Sequence, residues 1–318
     1  MSDLTEHIRL SAAISAELAG KRLDQALALL FPAHSRSRLK DWVDNEKVTV
    51  NGLFKRPRTK VVEGDQIEID AAIEVLSDWV GEPIALDIVY EDAHLLVINK
   101  PANLVVHPAV GNWVGTLVNA LLHHCPSLSQ IPRAGVVHRL DKDTTGLMVI
   151  AKTLVAQTSL VNQLQARTVK RIYEAVAYGV ILSGNTIKEP IGRHPHDRIR
   201  MAVLESGKTA VTHYRVIERF KSHTHLRVQL ETGRTHQIRV HLAHIHHPII
   251  GDKIYGGRLR LPPKASLELQ TCLKDFPRQA LHAKSLALLH PETGTEMQWE
   301  VSLPGDIQQL LSVLRSVS

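Results

Sequence analysis

The sequence predicts an α+β protein built mainly on antiparallel sheet. Two observations carry this prediction: short alternating apolar segments, typical of strands, recur along the chain, and several of them follow one another without an intervening helix. A parallel, doubly wound sheet would need a helical crossover between successive strands. The length of 318 residues adds a third point, because it predicts about two domains.

The excess of positive charge is confined to one region and divides the chain. Residues 21–60 contain ten Lys or Arg and four Asp or Glu, whereas the rest of the chain has 28 of each sign, so this region accounts for the whole net charge of +6. We expect a basic module in residues 1–75, with its core at about 18–70. A connection at 76–83 and a larger domain at 84–318 complete the expected organisation.

The basic module is expected to contain two helices followed by short strands. Apolar residues at helical spacing run up to Pro32, and a second helix follows Ser35 or Ser37, either of which could cap it. Alternating apolar residues then predict strands at 48–50 and 67–69.

The larger domain begins with an expected strand at Ile84–Ile88 and a buried strand at Leu95–Ile98. The helices expected after these strands start near Leu117, after the possible cap Thr153, and before Ile238. Further strands are expected at 171–179, 213–220, 225–231, 281–290 and 296–303.

The stretch GVVHRLDKDTTGLMVIAK at residues 135–152 stands out in this domain, because a charged hinge at residues 138–144 lies there between two apolar runs. A loop between strands can aim charged side chains from a rigid sheet. Turns also favour Asp, Thr and Gly for purely conformational reasons. Taken alone, the hinge therefore fits a solvated turn as well as a catalytic loop.

Several blocks in order resolve this ambiguity through a family resemblance. With HRLDKDTTG, RIYEAVAYG and ETGRTHQIRVHLAHIHHPIIGD, joined by INKPANLVVHP, the chain resembles the RNA pseudouridine synthases over nearly its whole length. The N-terminal blocks GKRLDQAL, SRSRLKDWVDNEKVTVNG and VEGDQIEI resemble the small αL-type RNA-binding module of a ribosomal protein and several RNA-modifying enzymes. The resemblance implies an antiparallel-sheet catalytic domain preceded by that module.

The activity that the resemblance implies is the isomerisation of uridine to pseudouridine. This reaction breaks the bond between ribose and a uracil nitrogen and rejoins the base through carbon 5, so no atom is gained or lost. We therefore expect no redox or nucleotide cofactor and no metal, and the sequence has no Gly-rich phosphate loop.

The expected partner is 23S ribosomal RNA, at the stem-loop of the intersubunit bridge, or a large-subunit assembly intermediate. We also expect a cytoplasmic monomer with no membrane contact, because no uncharged run approaches the roughly 18 residues that span a bilayer.

Three residues are the expected catalytic group, each matched to the family pattern. Asp141 would act as nucleophile toward the sugar or the uracil ring, or assist proton removal from the sugar; these routes stay open. Arg234 would pair with Asp141 and keep it ionised, and Tyr173 would stack on uracil or serve as acid or base. The alternatives are a surface Arg and a buried core Tyr.

Other residues are expected to support the chemistry or hold the RNA. Arg139, two residues before Asp141, would help to displace the target nucleotide or simply contact a phosphate. Lys100 is expected to support the hinge from beneath. Phosphate contacts in the basic module are expected from Lys21, Arg22, Arg36, Arg38, Lys40, Lys55, Arg56 and Arg58.

Two other interpretations compete with a synthase of this rRNA. The five histidines between His236 and His247 could suggest a metal site, but no H-E-x-x-H motif or matching cysteine set accompanies them. A non-catalytic RNA-binding or ribosome-assembly factor could keep the same fold, and a sister synthase could modify other 23S sites or tRNA. Retention of Asp141, Tyr173 and Arg234 favours an enzyme.

Overall fold

The structure, a computed structural model, contains two compact units. One is Met1–Asp78 with Pro126–Gly135, and the other is Trp79–Cys125 with Val136–Ser318. The residues that the structure describes are 6–32, 34, 36–73, 79–108, 113–197, 199–259, 261–263 and 265–316.

The first unit is a small antiparallel sheet with two helices packed on it. Its elements are β1 (Glu6–Ala13), α1 (Leu23–Leu30), α2 (Arg36–Asp44), β2 (Val48–Val50), β3 (Leu53–Phe54) and β4 (Gln66–Ile73). The sheet has the order β1-β4-β2-β3, and its core includes Leu23, Leu27, Leu39, Val48 and Ile67. Burial of these apolar side chains is the main driving force for this unit.

The two predicted helices and the strands after them are confirmed in this unit. The turn between β2 and β3 uses Asn51 and Gly52, both with positive φ, as a tight hairpin requires. Ser37 lies inside α2 and therefore does not cap it, and Ser35 lies outside the described residues. Strand β1 was not predicted; its apolar Ile8, Leu10 and Ala12 are only half-buried and Ala13 is exposed.

The segment that joins the units differs from its prediction. Of the expected connection at 76–83, residues 76–78 lie outside the described residues, and 79–83 form neither helix nor strand. The predicted start of the first strand at Ile84 is wrong, because residues 84–87 are not part of a strand and the strand here runs from Ile88 to Glu91. The alternation at Ile84 and Leu86 reflects half-burial in an irregular segment.

The second unit is built on a nine-stranded sheet. The unit as a whole has these strands: β5 (Ile88–Glu91), β6 (Leu95–Lys100), β7 (Thr145–Ala151), β8 (Lys170–Tyr178), β9 (Asn185–Ile187), β10 (Ile191–Arg193), β11 (Met201–Val203), β12 (Thr212–Arg219), β13 (His223–Leu230), β14 (Leu281–Leu289) and β15 (Glu296–Glu300). The order is β5-β6-β7-β14-β8-β13-β12-β9, with β15 beside β14, while β10 and β11 form a separate pair.

Strand direction confirms the predicted α+β class. The neighbouring strands pair antiparallel except β7 and β14, which run parallel. The helices are α3 (Leu117–His124), α4 (Leu154–Gln165), α5 (Gln237–His244), α6 (Leu267–Asp275) and α7 (Gly305–Ser316). Strands β9 to β11 and helices α6 and α7 were not predicted.

The centre of this sheet anchors the charged hinge. Strand β7 begins directly after the hinge and is buried along its whole length. Gly146 has a φ of 113°, and a Cβ there would lie 2.3 Å from the carbonyl oxygen of Ala283. Only glycine therefore allows β14 to approach so closely. This contact fixes the position of the chain where it leaves the hinge and enters β7.

Within the described part of the chain, none of the helices combines the length and apolar character needed to cross a membrane.

Candidate active site

The hinge folds into a tight turn that carries Asp141 at its start. The backbone N–H of Thr144 donates to the carbonyl oxygen of Asp141 at 3.1 Å. Gln279 then donates from its side-chain amide to the Thr144 hydroxyl at 3.1 Å. A turn tied at both ends presents its first side chain in a fixed direction.

Two buried basic side chains, Lys100 and Arg278, hold the backbone of this turn through its carbonyl oxygens. Lys100 is fully buried and donates to the carbonyl oxygens of Pro101, Leu104 and Lys142 at 2.7, 2.9 and 2.9 Å. Burial lowers the pKa of Lys100 to about 7. These contacts agree with the expected support of the hinge by Lys100.

The second of these side chains is Arg278, which binds the carbonyl group of Asp143, the residue after Lys142 in the turn. Its Nη1 donates to the carbonyl oxygen of Asp143 at 3.0 Å, and its Nε and Nη2 bind the two carboxylate oxygens of Asp306 at 2.7 and 2.9 Å. A bidentate pair of this kind fixes the plane of the guanidinium.

Asp141 forms its ion pair with Arg239 of helix α5. The Nη1 atom of Arg239 donates to Asp141 Oδ2 at 2.9 Å, and the two side chains are only 5% and 15% exposed. A close cation compensates a carboxylate for loss of water and favours its ionised form. The pair therefore fixes the direction of the Asp141 carboxylate and holds a positive charge beside it.

Asp252 holds Arg239 from the other side. Its carboxylate accepts from Nε and Nη2 of Arg239 at 2.7 and 2.8 Å, and its side chain is fully buried. Burial alone would raise the pKa of Asp252, but Arg239 and the backbone amides of Ile254 and Tyr255 outweigh burial and hold that pKa below its usual value. One guanidinium thus links two carboxylates, binding Asp252 through Nε and Nη2 and Asp141 through Nη1.

The predicted pairing of Arg234 with Asp141 is wrong. Arg234 is exposed, and its Nε donates to the carbonyl oxygen of Thr209 at 3.1 Å. It lies before the first turn of α5, whereas Arg239 lies inside that helix and points to the hinge. The two arginines belong to one sequence block, and the start of the helix decides which of them reaches the carboxylate.

Tyr173 lies on β8, two strands from the one that follows Asp141. It is opposite Ala283 of β14, which in turn pairs with Gly146 at the start of β7. The side chain is buried. Burial raises the pKa of Tyr173, the charge of Arg171 opposes this, and the charge of Asp141 adds to it. Tyr173 is therefore within electrostatic reach of both charged groups.

His236 and Tyr255 are two further residues of the site around Asp141. His236 has a φ of 57°, in the left-handed region, and occupies the N-cap position of α5 without a side-chain hydrogen bond to the helix. Its Nδ1 hydrogen-bonds with the Tyr255 hydroxyl at 2.8 Å, and its Nε2 lies 3.9 Å from Asp141 Oδ1. The Tyr255 ring also faces the guanidinium of Arg239 at 5.1 Å. Burial lowers the pKa of His236, and Asp141 opposes that effect.

Arg139 is exposed, and its charge lowers the pKa of His236. Its charge therefore acts on the histidine that lies beside Asp141. An exposed cation at this edge is free to meet an RNA phosphate.

The basic residues of the first unit divide into exposed and paired groups. Arg36, Lys55, Arg56 and Arg58 are exposed, and Lys21 is half-buried. Arg22 pairs with Asp24 and Lys40 with Asp44. Arg38, from which a phosphate contact was expected, is instead buried at 9% exposed and lies over the Trp42 ring.

The histidines of the 236–247 region serve local structure. His241 is fully buried and hydrogen-bonds with Thr212 and the carbonyl oxygen of Glu189, and His247 contacts the carbonyl oxygen of Tyr178. Over the residues described, no three His, Cys, Asp or Glu side chains are arranged to hold a metal ion.

Four residues of this site were not predicted from the sequence. They are Arg239, Asp252, Tyr255 and His236. One signal was present in the sequence, since His236 and Arg239 are three residues apart and share a face once a helix begins there. The approach of Asp252 to Arg239 depends on how the loop after α5 folds back, which spacing does not reveal.

Comparison with known proteins places these elements in a family. Residues 94–244 match the family described as RNA pseudouridylate synthase, and residues 21–67 match the S4 domain. The chain is 59% identical to ribosomal large subunit pseudouridine synthase D of Pseudomonas aeruginosa, over 99% of this chain and 98% of that protein. It is 54% identical to the protein of the same name from Escherichia coli K12, over 98% and 96%.

Two solved human structures are also similar to this chain. RNA pseudouridylate synthase domain containing 4 is 28% identical with a TM-score of 0.54, and the match covers 72% of this chain and 92% of that one. RNA pseudouridylate synthase domain containing 1 is 25% identical with a TM-score of 0.52, covering 74% and 97%.

Proposed function

Because this chain belongs to the RNA pseudouridine synthases and is therefore an isomerase, we propose that it converts uridine to pseudouridine in 23S ribosomal RNA, at the stem-loop of the intersubunit bridge. The observation that carries the chemical part is the half-buried carboxylate of Asp141, held by Arg239 and close to Tyr173. The large-subunit target is supported by the printed names of relatives that match end to end.

Asp141 is the reacting group in this proposal. Its carboxylate attacks the sugar or the uracil ring, or assists proton removal from the sugar, and Arg239 keeps it ionised for each route. Tyr173 stacks on the uracil and, with its pKa raised by burial, keeps its proton at neutral pH. Arg139 helps to hold the nucleotide outside its stem, because its exposed charge can meet the displaced backbone.

The S4 domain holds the RNA in this proposal. Its exposed Arg36, Lys55, Arg56 and Arg58 supply affinity through phosphates, which carries no choice of base. Choice of uridine is left to the second unit. We place the enzyme in the cytoplasm as a monomer, acting on rRNA or on an assembling large subunit.

The test uses purified protein and a 23S rRNA transcript, with pseudouridine read by chemical labelling and primer extension. The wild type is expected to convert uridine in the bridge stem-loop. Asp141→Asn is expected to bind the RNA with unchanged affinity and to convert none, whereas the matched variant Asp143→Asn in the same turn keeps activity. A wild type that converts no uridine in ribosomal RNA contradicts the proposal and favours a binding factor.

A further inference from the structure

Arg171 lies beside Tyr173 without a carboxylate partner. The two residues are separated by one position on β8, so their side chains point to the same face of the sheet. Arg171 is 7% exposed and Tyr173 is 5% exposed. A guanidinium therefore lies buried at the base of the candidate site, next to the ring that is proposed to stack on uracil.

The contacts of Arg171 leave much of its hydrogen-bonding capacity unused. Its Nη2 donates to the carbonyl oxygen of Glu231 at 3.3 Å, and its Nε has no partner among the described residues. The loop before α5 passes directly over it, since a Cβ on Gly233 would lie 2.7 Å from Nη1. A guanidinium has five N–H donors, so one long hydrogen bond satisfies little of it.

The other buried arginines of this site are neutralised. Arg239 binds Asp141 and Asp252, and Arg278 binds Asp306. Across the described residues, no carboxylate lies within ion-pair distance of Arg171. A buried cation without a counter-ion and with unused N–H donors is costly, so its presence indicates that a hydrogen-bond acceptor arrives with the substrate.

The position of Arg171 indicates which part of the substrate this acceptor belongs to. The charges of Arg171 and Asp141 both act on Tyr173, so a base against the Tyr173 ring lies near the cation as well as near the acid. Phosphates stay on the RNA backbone at the surface, where the exposed Arg139 and Arg234 lie. A side chain buried as deeply as Arg171 meets the part that enters furthest, which is the uracil ring.

We propose that Arg171 donates hydrogen bonds to a carbonyl oxygen of the target uracil and stabilises the negative charge that the ring acquires during the reaction. This inference rests on the proposed function and adds a residue to it.

The charge arises by each route that is open to Asp141. When the bond between C1′ and N1 breaks, its electron pair leaves with the base, and the uracil anion delocalises this charge onto O2 and O4. When the carboxylate instead adds to C6 of the ring, the charge moves to O4. The ring then turns and C5 bonds to C1′, while any bond from Asp141 to C1′ or to C6 breaks and returns its electron pair to the carboxylate. The C5 proton is lost, N1 takes a proton and any proton removed from the sugar is returned to it, so the atoms balance without another reactant.

The test asks whether Arg171 acts on the O2 or the O4 atom of the target uracil. Synthetic stem-loops carry uridine, 2-thiouridine or 4-thiouridine at the target position, because sulfur is a weaker hydrogen-bond acceptor than oxygen. Single-turnover rates are measured for the wild type, Arg171→Met and Arg171→Lys. On the uridine substrate, Arg171→Met is expected to be slower by about 10²-fold, the usual loss of one such donor, with RNA affinity unchanged.

The decisive quantity is the ratio of oxygen to sulfur rates. At one of the two positions this ratio is expected to be at least about tenfold larger in the wild type than in Arg171→Met, since only the wild type has a donor to lose. Arg171→Lys keeps the charge and is expected to lie between them; it also carries the measurement if Arg171→Met does not fold. Arg167→Met, which removes an exposed arginine paired with Glu231, is the matched control and keeps the wild-type ratio.

Equal ratios in the wild type and both Arg171 variants at both positions would overturn the inference and leave Arg171 as a support for the loop at Glu231. A wild type that converts no uridine at all contradicts the proposed function instead, so the two failures are distinguishable.

Discussion

The charges of the first unit and those around Asp141 are organised in opposite ways. Arg36, Lys55, Arg56 and Arg58 are exposed, and each can act on a polyanion with little help from its neighbours. Around Asp141 the charged groups are buried and share their hydrogen bonds, so that Arg239 serves two carboxylates at once. Exposed charges contribute singly and are screened by salt, whereas buried ones act as a unit.

This contrast predicts that substitutions at the site have large, non-additive effects on the reaction. Substitutions in the basic module are expected to have small effects on binding that add up.

Arg239→Lys is expected to lower the single-turnover rate by about 10²- to 10³-fold, because an ammonium has no planar fork to join Asp141 and Asp252. The matched variant Arg234→Lys is expected to change the rate by less than about threefold, since it stays exposed and keeps its charge. Both rates are measured on the same stem-loop, with thermal unfolding as a check of folding. Equal losses in the two variants would restore Arg234 as the functional arginine.

Asp252→Asn is expected to lower the rate by about 10- to 10²-fold with little change in RNA affinity. It keeps the shape of the side chain but removes the charge that orients Arg239. Asp306→Asn is the control, because Arg278 keeps three carbonyl acceptors when this carboxylate is lost. In the Arg239→Lys background, Asp252→Asn should cost little more; a full additional loss would mean that Asp252 acts independently of Arg239.

Lys100→Met tests the support of the turn through the pH dependence of stability. Burial lowers the pKa of Lys100 from 10.5 to about 7, so between these values the unfolded chain carries a proton that the folded chain lacks. Unfolding then takes up a proton, and the free energy of unfolding of the wild type rises with pH by up to about 1.4 kcal/mol per unit.

The difference in unfolding free energy between wild type and Lys100→Met is therefore expected to grow from pH 7 to pH 9, measured by urea denaturation. Lys142→Met, on the exposed side of the same turn, should show no such growth. A constant difference over this range would mean that Lys100 is not held in the buried state described here.

Lys55→Ala and Arg56→Ala represent the weak end of the comparison. Each is expected to reduce RNA affinity severalfold and to lower the slope of log affinity against log salt by about one, with no change in the single-turnover rate. Arg9→Ala, in the same unit but paired with Asp70, is the control. A lowered rate at saturating RNA would contradict the division of labour between the two units.

The same contrast explains what the sequence could and could not predict. The basic module was visible because a local excess of charge needs no folding to be counted, and its helices and strands followed from local periodicity. The turn at Asp141 was also local, since Gly146 and the apolar strand after it mark where the sheet begins.

The partner of Asp141 could not be read in this way. Arg234 and Arg239 are five residues apart in one block, and the left-handed backbone at His236 starts the helix that turns one toward the hinge and leaves the other exposed. The supports from Arg278 and Gln279 lie more than 130 positions away along the chain. These contacts depend on the parallel approach of β14 to β7, which no local pattern encodes.

The most direct test of the central claim is a map of pseudouridine in 23S ribosomal RNA from cells that lack this gene and carry it back as wild type, Asp141→Asn or Asp143→Asn. We predict that pseudouridine in the bridge stem-loop disappears with the gene, returns with the wild type and with Asp143→Asn, and stays absent with Asp141→Asn. Return of the modification with Asp141→Asn would contradict the assignment of the reaction to this carboxylate.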